Sequence, residues 1–155
     1  LNVRQAFRAI DSKIVTAIAA AIAMSVSLQE TGGAEFLAEG VANAFGTASP
    51  GVVLSGLFLL VAAATNIISN NAVAILFTPI AVDLGLALGI EPHVFAVTVL
   101  FAANCSFASP LGYQTNLLVM GPGHYKFTDF ARAGAPLIVL MWIVFSLFAP
   151  WYYGI

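Results

Sequence analysis

Between Glu39 and Lys126 only Asp83 and Glu91 carry a charged side chain. A folded chain excludes charge over such a length where its surroundings are lipid, because an ionised group inside a bilayer costs at least about 2.5 kcal/mol. Of the 155 residues, 61% are hydrophobic and 8% charged, whereas a soluble domain carries about 25% charge. The remaining charges gather at segment ends. Arg4, Arg8, Asp11 and Lys13 precede the first apolar run, Glu30, Glu35 and Glu39 follow it, and Lys126, Asp129 and Arg132 precede the last. The pattern predicts an all-α polytopic membrane protein.

Several function classes are set aside by composition. The single cysteine, Cys105, rules out an internal disulfide and a cysteine-based metal cluster. A net charge of -2 with no basic patch gives no reason to expect nucleic acid. His93 and His124 are far apart and read as structural or surface groups, and no nucleophile–histidine–acid arrangement is present, so an enzyme is not expected. The first apolar run lacks the cleavage site of a signal peptide. The chain opens on Leu1, which fits a segment of a longer protein.

Residues 11–30 read as a transmembrane helix stopped by Thr31-Gly32-Gly33. Residues 34–46 set Phe36, Leu37, Val41 and Phe45 against Glu35 and Glu39, which suits a short helix lying in the interface. Ser49 and Pro50 open the next segment as cap and first helical residue. Two apolar runs within 51–90 then flank the polar triplet Ser69-Asn70-Asn71. A re-entrant hairpin with its tip inside the membrane, one long helix, and two spans with a tight turn all fit that pattern.

Residues 92–121 form an apolar run broken by Ser109-Pro110-Leu111-Gly112-Tyr113-Gln114-Thr115-Asn116 and resumed at Leu117. A break of this kind is tolerated in lipid only where protein or a water-filled cavity satisfies the freed backbone. Residues 124–133 read as a cytoplasmic connector and 134–155 as the last span, ending in the aromatic belt Trp151, Tyr152 and Tyr153. The basic groups all fall on the cytoplasmic side if residues 51–90 cross the bilayer an even number of times or not at all.

The two polar breaks carry the functional expectation. A second arm beginning near Asn71 aims unpaired N–H groups and the positive end of a helix dipole at the tip, which attracts an anion without a basic side chain. Ser69, Asn70 and Asn71 add donors and acceptors, and oxygens at such breaks also hold sodium. Gly112, Gln114, Thr115 and Asn116 supply the second break, with Thr115 and Asn116 as possible caps of the resumed helix. Thr65 shares a helical face with Ser69; its hydroxyl either reaches a sodium ion or bonds back to its own helix. Asp83 reads as a residue near the hairpin's mouth.

Thr65–Val82 (TNIISNNAVAILFTPIAV) and Ser106–Leu137 (SFASPLGYQTNLLVMGPGHYKFTDFARAGAPL) together resemble the divalent anion:sodium symporter family, and within it the sulfate-type permease branch. The resemblance implies half of an inverted-repeat transporter, the C-terminal repeat, with a re-entrant helical hairpin over 51–90 and a broken transmembrane helix over 92–121. It implies substrate contacts at Ser69, Asn70, Asn71, Tyr113, Gln114, Thr115 and Asn116, and a sodium site at Thr65, Ile68, Asn70 and Gly112. The family's Ser-Asn-Thr tip ends here in Asn71, which favours sulfate over a dicarboxylate, and of its Thr-Pro-Pro-Asn break only Asn116 matches. It further implies sodium as the coupling ion with no other cofactor, an N-terminal repeat as partner, a homodimer, and multi-pass insertion in a plasma membrane such as a bacterial inner membrane. The alternatives are a dicarboxylate symporter, another oxyanion permease such as an arsenite exporter, and an accessory membrane subunit without a site.

Overall fold

A computed structural model describes residues 49–155, together with Ala19, Ala23, Ser27, Glu30, Thr31 and Gly32. The expected interfacial helix at 34–46 and most of the 11–30 span lie outside the described residues. At the end of that span the N–H and Oγ1 of Thr31 both donate to the Ser27 carbonyl, at 3.0 and 2.7 Å, and Gly32 takes a φ of 71°. That left-handed turn is the ordinary way a glycine stops a helix.

Among the described residues the fold is all-helical: α1 (Pro50–Ala64), α2 (Asn70–Ala87), α3 (Pro92–Ala103), α4 (Gln114–Met120) and α5 (Phe127–Tyr153). Pro50 and Pro92 occupy the first helical positions of α1 and α3, where a missing N–H costs nothing. Ser49 makes no side-chain cap, contrary to expectation; its carbonyl accepts from Val52 N–H at 2.9 Å instead. Helix α2 ends where Gly89 turns left-handed (φ 67°) and Ile90 N–H donates to the Gly85 carbonyl at 2.9 Å.

Length separates the helices. With a rise of about 1.5 Å per residue, the 15 residues of α1 and 12 of α3 reach roughly 22 and 18 Å, short of a bilayer core of about 30 Å. Helices α2 and α5 are long and apolar enough to cross a membrane. Helix α5 also takes in residues 127–133, which the sequence assigned to the connector. Its start is fixed by Asp129, whose Oδ2 accepts the Lys126 N–H at 2.8 Å.

The two arms on either side of Ser69 make little direct contact with each other. Both pack on α3, and α1 also packs on α5. The reason lies in α3, which buries Val94, Phe95, Thr98, Val99, Ala102 and Ala103 and so has apolar surface for neighbours on more than one side. Phe58, Phe95, Leu54, Val61 and Val99 are the fully buried centre of that packing. Between α1 and α5, Phe58 stacks on Phe145 with ring centroids 4.8 Å apart. Trp142 Nε1–H donates to Ser55 Oγ at 2.9 Å, and Ser55 Oγ lies 2.8 Å from Ser146 Oγ. Much of α5 faces outward: Leu147 is 73% and Trp151 76% exposed. Such a face suits lipid or further protein.

Candidate functional site

The site begins where α1 stops. Helix α1 ends at Ala64, and Thr65–Ile68 form a turn whose N–H groups still reach back to Val61, Ala63 and Ala64 carbonyls. Ser69 then caps α2, with Oγ accepting from Ala72 N–H at 3.3 Å and its carbonyl from Val73 N–H at 3.0 Å. Asn70 and Asn71 are therefore the first residues of the helix. Asn71 N–H is held by Asn70 Oδ1 at 2.9 Å. Both of these side-chain bonds are local and exposed.

The second break meets the first directly. Asn70 N–H donates to the Gly112 carbonyl at 3.1 Å. Gly112 in turn sits so close to Thr65 that a Cβ there would lie 2.1 Å from the Thr65 carbonyl oxygen. Only glycine permits this approach. On the far side α5 crosses the break at Gly134, where a Cβ would stand 2.2 Å from the Phe107 carbonyl carbon.

Between the breaks lies a cavity of about 430 Å³. Ser69, Asn70, Asn71, Gly112, Tyr113 and Gln114 form its polar lining, and Leu111, Leu117 and Leu118 its apolar side. None of these residues is charged. The Asn71, Tyr113 and Gln114 side chains have no hydrogen-bond partner among the described residues. A second cavity, of about 370 Å³, is walled by Phe58, Phe101, Phe145, Tyr152 and other apolar groups and has little to orient an ion.

The structure thus gathers Ser69, Asn70, Asn71, Tyr113 and Gln114 from the expected substrate set at one cavity, and brings Thr65 against Gly112 from the expected sodium set. It does not gather the rest. Ile68 is 44% exposed and lies outside the cavity lining, as does exposed Thr115. The expected caps of α4 are corrected: Tyr113 holds the cap position with no side-chain bond, and Thr115 and Asn116 lie inside the helix. Asn116 turns to the break, where Nδ2–H groups donate to the Ser106 and Ser109 carbonyls at 2.8 and 3.1 Å. The Thr65 hydroxyl does not bond back to its own helix; it donates to the Ala103 carbonyl of α3 at 2.8 Å.

Asn66 was not foreseen. Its Nδ2 donates to the Ala62 carbonyl at 2.7 Å and the Cys105 carbonyl at 3.1 Å, and its Oδ1 accepts the Ala108 N–H at 2.9 Å. The signal available was an amide inside the apolar run 51–68, since polar residues in such runs turn toward protein.

The family model described as citrate transporter (CitMHS) matches residues 1–155. The chain belongs to the citrate transporter (CitMHS) family. Its relatives include an uncharacterised transporter of Synechocystis sp., 40% identical over 96% of this chain and 24% of the relative. Sodium/sulfate cotransporter 1 of Chlamydomonas reinhardtii is 34% identical over 93% of this chain and 16% of its own length. The sodium-dependent dicarboxylate transporter of Staphylococcus saprophyticus is 29% identical over 83% of this chain and 26% of its own. The chain therefore spans about a quarter or less of these CitMHS-related proteins. The family and these relatives are transporters and not enzymes.

Proposed function

We propose that this chain forms the C-terminal repeat of a membrane-embedded secondary transporter that couples sodium to the movement of a small divalent anion, with sulfate ahead of a dicarboxylate. One observation carries the reading: the start of α2 and the backbone at Gly112 converge on a single uncharged cavity rich in donors. An anion there is stabilised by the positive end of α2 and by neutral N–H and O–H groups, so no buried cation must be neutralised when the site empties. In this reading the segment 51–90 is a re-entrant hairpin in a plasma membrane, α3 and α4 are halves of one broken helix, and the opposite wall of the cavity comes from an N-terminal repeat. The complete protein works as a homodimer. The names of the relatives support both substrate classes, and the Asn71 replacement favours sulfate.

The hydrogen bonds suggest how binding proceeds. Substrate oxygens replace Asn70 Oδ1 and Ser69 Oγ as acceptors of the Asn71 and Ala72 N–H groups. Ser69 then turns its O–H to the anion, while Gln114 and Tyr113 donate from the facing side. Asn70 Oδ1, once released, joins carbonyl oxygens near Thr65 and Gly112 as a hard oxygen donor for sodium. Occupancy of either site then favours the other, as linkage requires of coupled binding.

The test is uptake of radiolabelled sulfate and succinate by the complete transporter in sodium and in potassium buffers, beside its Asn70→Ala form. Sodium-dependent sulfate uptake that collapses at least about ten-fold in Asn70→Ala is expected. Uptake of both anions that ignores sodium refutes the symport reading. Succinate uptake without sulfate uptake transfers the reading to the dicarboxylate class.

A further inference from the structure

Asn66 lies outside the cavity, yet it spends both amide hydrogens and an oxygen lone pair on fixed backbone partners. Two of those partners, the Cys105 carbonyl and the Ala108 N–H, belong to the stretch between α3 and α4 that has no helical ladder of its own. The third, the Ala62 carbonyl, belongs to the last turn of α1. One side chain therefore ties the end of α1 to the break. Its neighbour Thr65 adds a second tie, Oγ1 to the Ala103 carbonyl at 2.8 Å. The distance that matters to the cavity, Asn70 N–H to the Gly112 carbonyl at 3.1 Å, is spanned by these same two segments. The turn runs from Asn66 to Asn70 on one side, and the break from Ala108 to Gly112 on the other.

We propose that Asn66 is a positioning residue for the anion site: its amide clamps the break to the end of α1 and so sets the separation of the cavity's two polar walls. This rests on the transport reading above. The clamp acts on substrate affinity and not only on folding. If the break drifts from the turn, Gly112, Tyr113 and Gln114 move away from Ser69, Asn70 and Asn71 as a group, and an anion can no longer reach donors from both. An amide suits the task because it offers donors to the Ala62 and Cys105 carbonyls and an acceptor to the Ala108 N–H at once. A carboxylate of the same shape keeps only the acceptor and faces two carbonyls with negative charge.

The experiment uses the complete transporter and its Asn66→Asp and Asn66→Gln forms. Initial rates of sodium-dependent sulfate uptake are measured against sulfate and against sodium concentration, normalised to the protein inserted in the membrane. Trp142→Phe, which loses its bonds to Ser55 away from the cavity, serves as a purely structural comparison. For Asn66→Asp a sulfate KM raised about ten-fold is expected, with a smaller rise for Asn66→Gln, which keeps its amide donors and acceptor on a longer stem. Where Asn66→Asp does not accumulate, Asn66→Gln carries the test. Parental KM and sodium half-saturation in the inserted variants, with the loss confined to protein amount, overturn the proposal and make Asn66 a folding residue alone. A parent with no sodium-dependent uptake overturns the transport reading, and the positioning role falls with it.

Discussion

Gly112→Ala is the smallest change that should disable the site. The added Cβ would stand 2.1 Å from the Thr65 carbonyl oxygen and 2.9 Å from Ser106 Cβ. A carbon–oxygen contact is comfortable only from roughly 3.3 Å, so the two backbones must part by about 1 Å. Neither neighbour can rotate away. The Thr65 oxygen is main chain, and that turn is anchored through Thr65 Oγ1 and the Asn66 amide. The movement therefore falls on residue 112, whose carbonyl holds the Asn70 N–H at 3.1 Å. A further 1 Å breaks that bond. Overpacking of about 1–3 kcal/mol and a hydrogen bond of about 1 kcal/mol make the total roughly 2–4 kcal/mol.

The assay is the initial rate of sodium-dependent sulfate uptake, normalised to inserted protein, with a melting curve of the purified transporter in detergent. Gly112→Ala should lower the melting midpoint and raise the sulfate KM by at least about ten-fold. Gly121→Ala is the matched control, because a Cβ at Gly121 meets nothing within 4 Å. Parental KM in Gly112→Ala would refute the reasoning outright, since the close approach of Thr65 and Gly112 would then be irrelevant to the cavity.

Two further outcomes follow from the hydrogen bonds. Ser69→Ala removes the acceptor of the Ala72 N–H and a hydroxyl from the cavity; a loss of about 0.5–2 kcal/mol in helix capping and a raised sulfate KM are expected, and an unchanged KM sets Ser69 outside the substrate contacts. Trp142→Phe deletes the indole's bonds to the Ser55 carbonyl and Oγ; a lower melting midpoint, worth about 1 kcal/mol, should appear with sulfate KM within about two-fold of the parent. A parental midpoint there means that water or lipid headgroups replace those bonds at no cost.

The positions of the polar breaks were legible because their residue types are expensive in an apolar run. Ser69-Asn70-Asn71 and the longer break Ser109–Asn116 stood out by that cost, and the first lies at the cavity with Gly112, Tyr113 and Gln114 of the second. What was not legible is which way each polar group turns. Asn116 is two residues from Gln114, yet it faces the break and serves the Ser106 and Ser109 carbonyls while Gln114 lines the cavity. Helical phase decides this, and the phase depends on where α4 starts. A start at Gln114 instead of Leu117 puts Asn116 inside the helix. Asn66 was hidden for the same reason, since its partners Cys105 and Ala108 are about 40 residues away and a sequence pattern shows only near neighbours. The packing of both arms on α3 depends likewise on contacts that periodicity does not encode.

The division of the amides explains how a break of this length survives in an apolar bundle. Outside a helix, the carbonyls of Cys105, Ser106 and Ser109 and the N–H of Ala108 need partners, and in lipid each missing one costs several kcal/mol. Asn66 and Asn116 meet all four from opposite sides. Gly134 lets α5 lie directly on the Phe107 backbone and closes the remaining flank. The break is therefore tied to its neighbours at four backbone groups, with its polar ends set where a helix would have none. That arrangement leaves Tyr113 and Gln114 free of internal duties, opposite the start of α2. A polar residue at such a break can serve the backbone or a ligand, and the partners already engaged tell the two apart. By that criterion the anion's contacts are to be sought at Asn71, Tyr113 and Gln114 before Asn116.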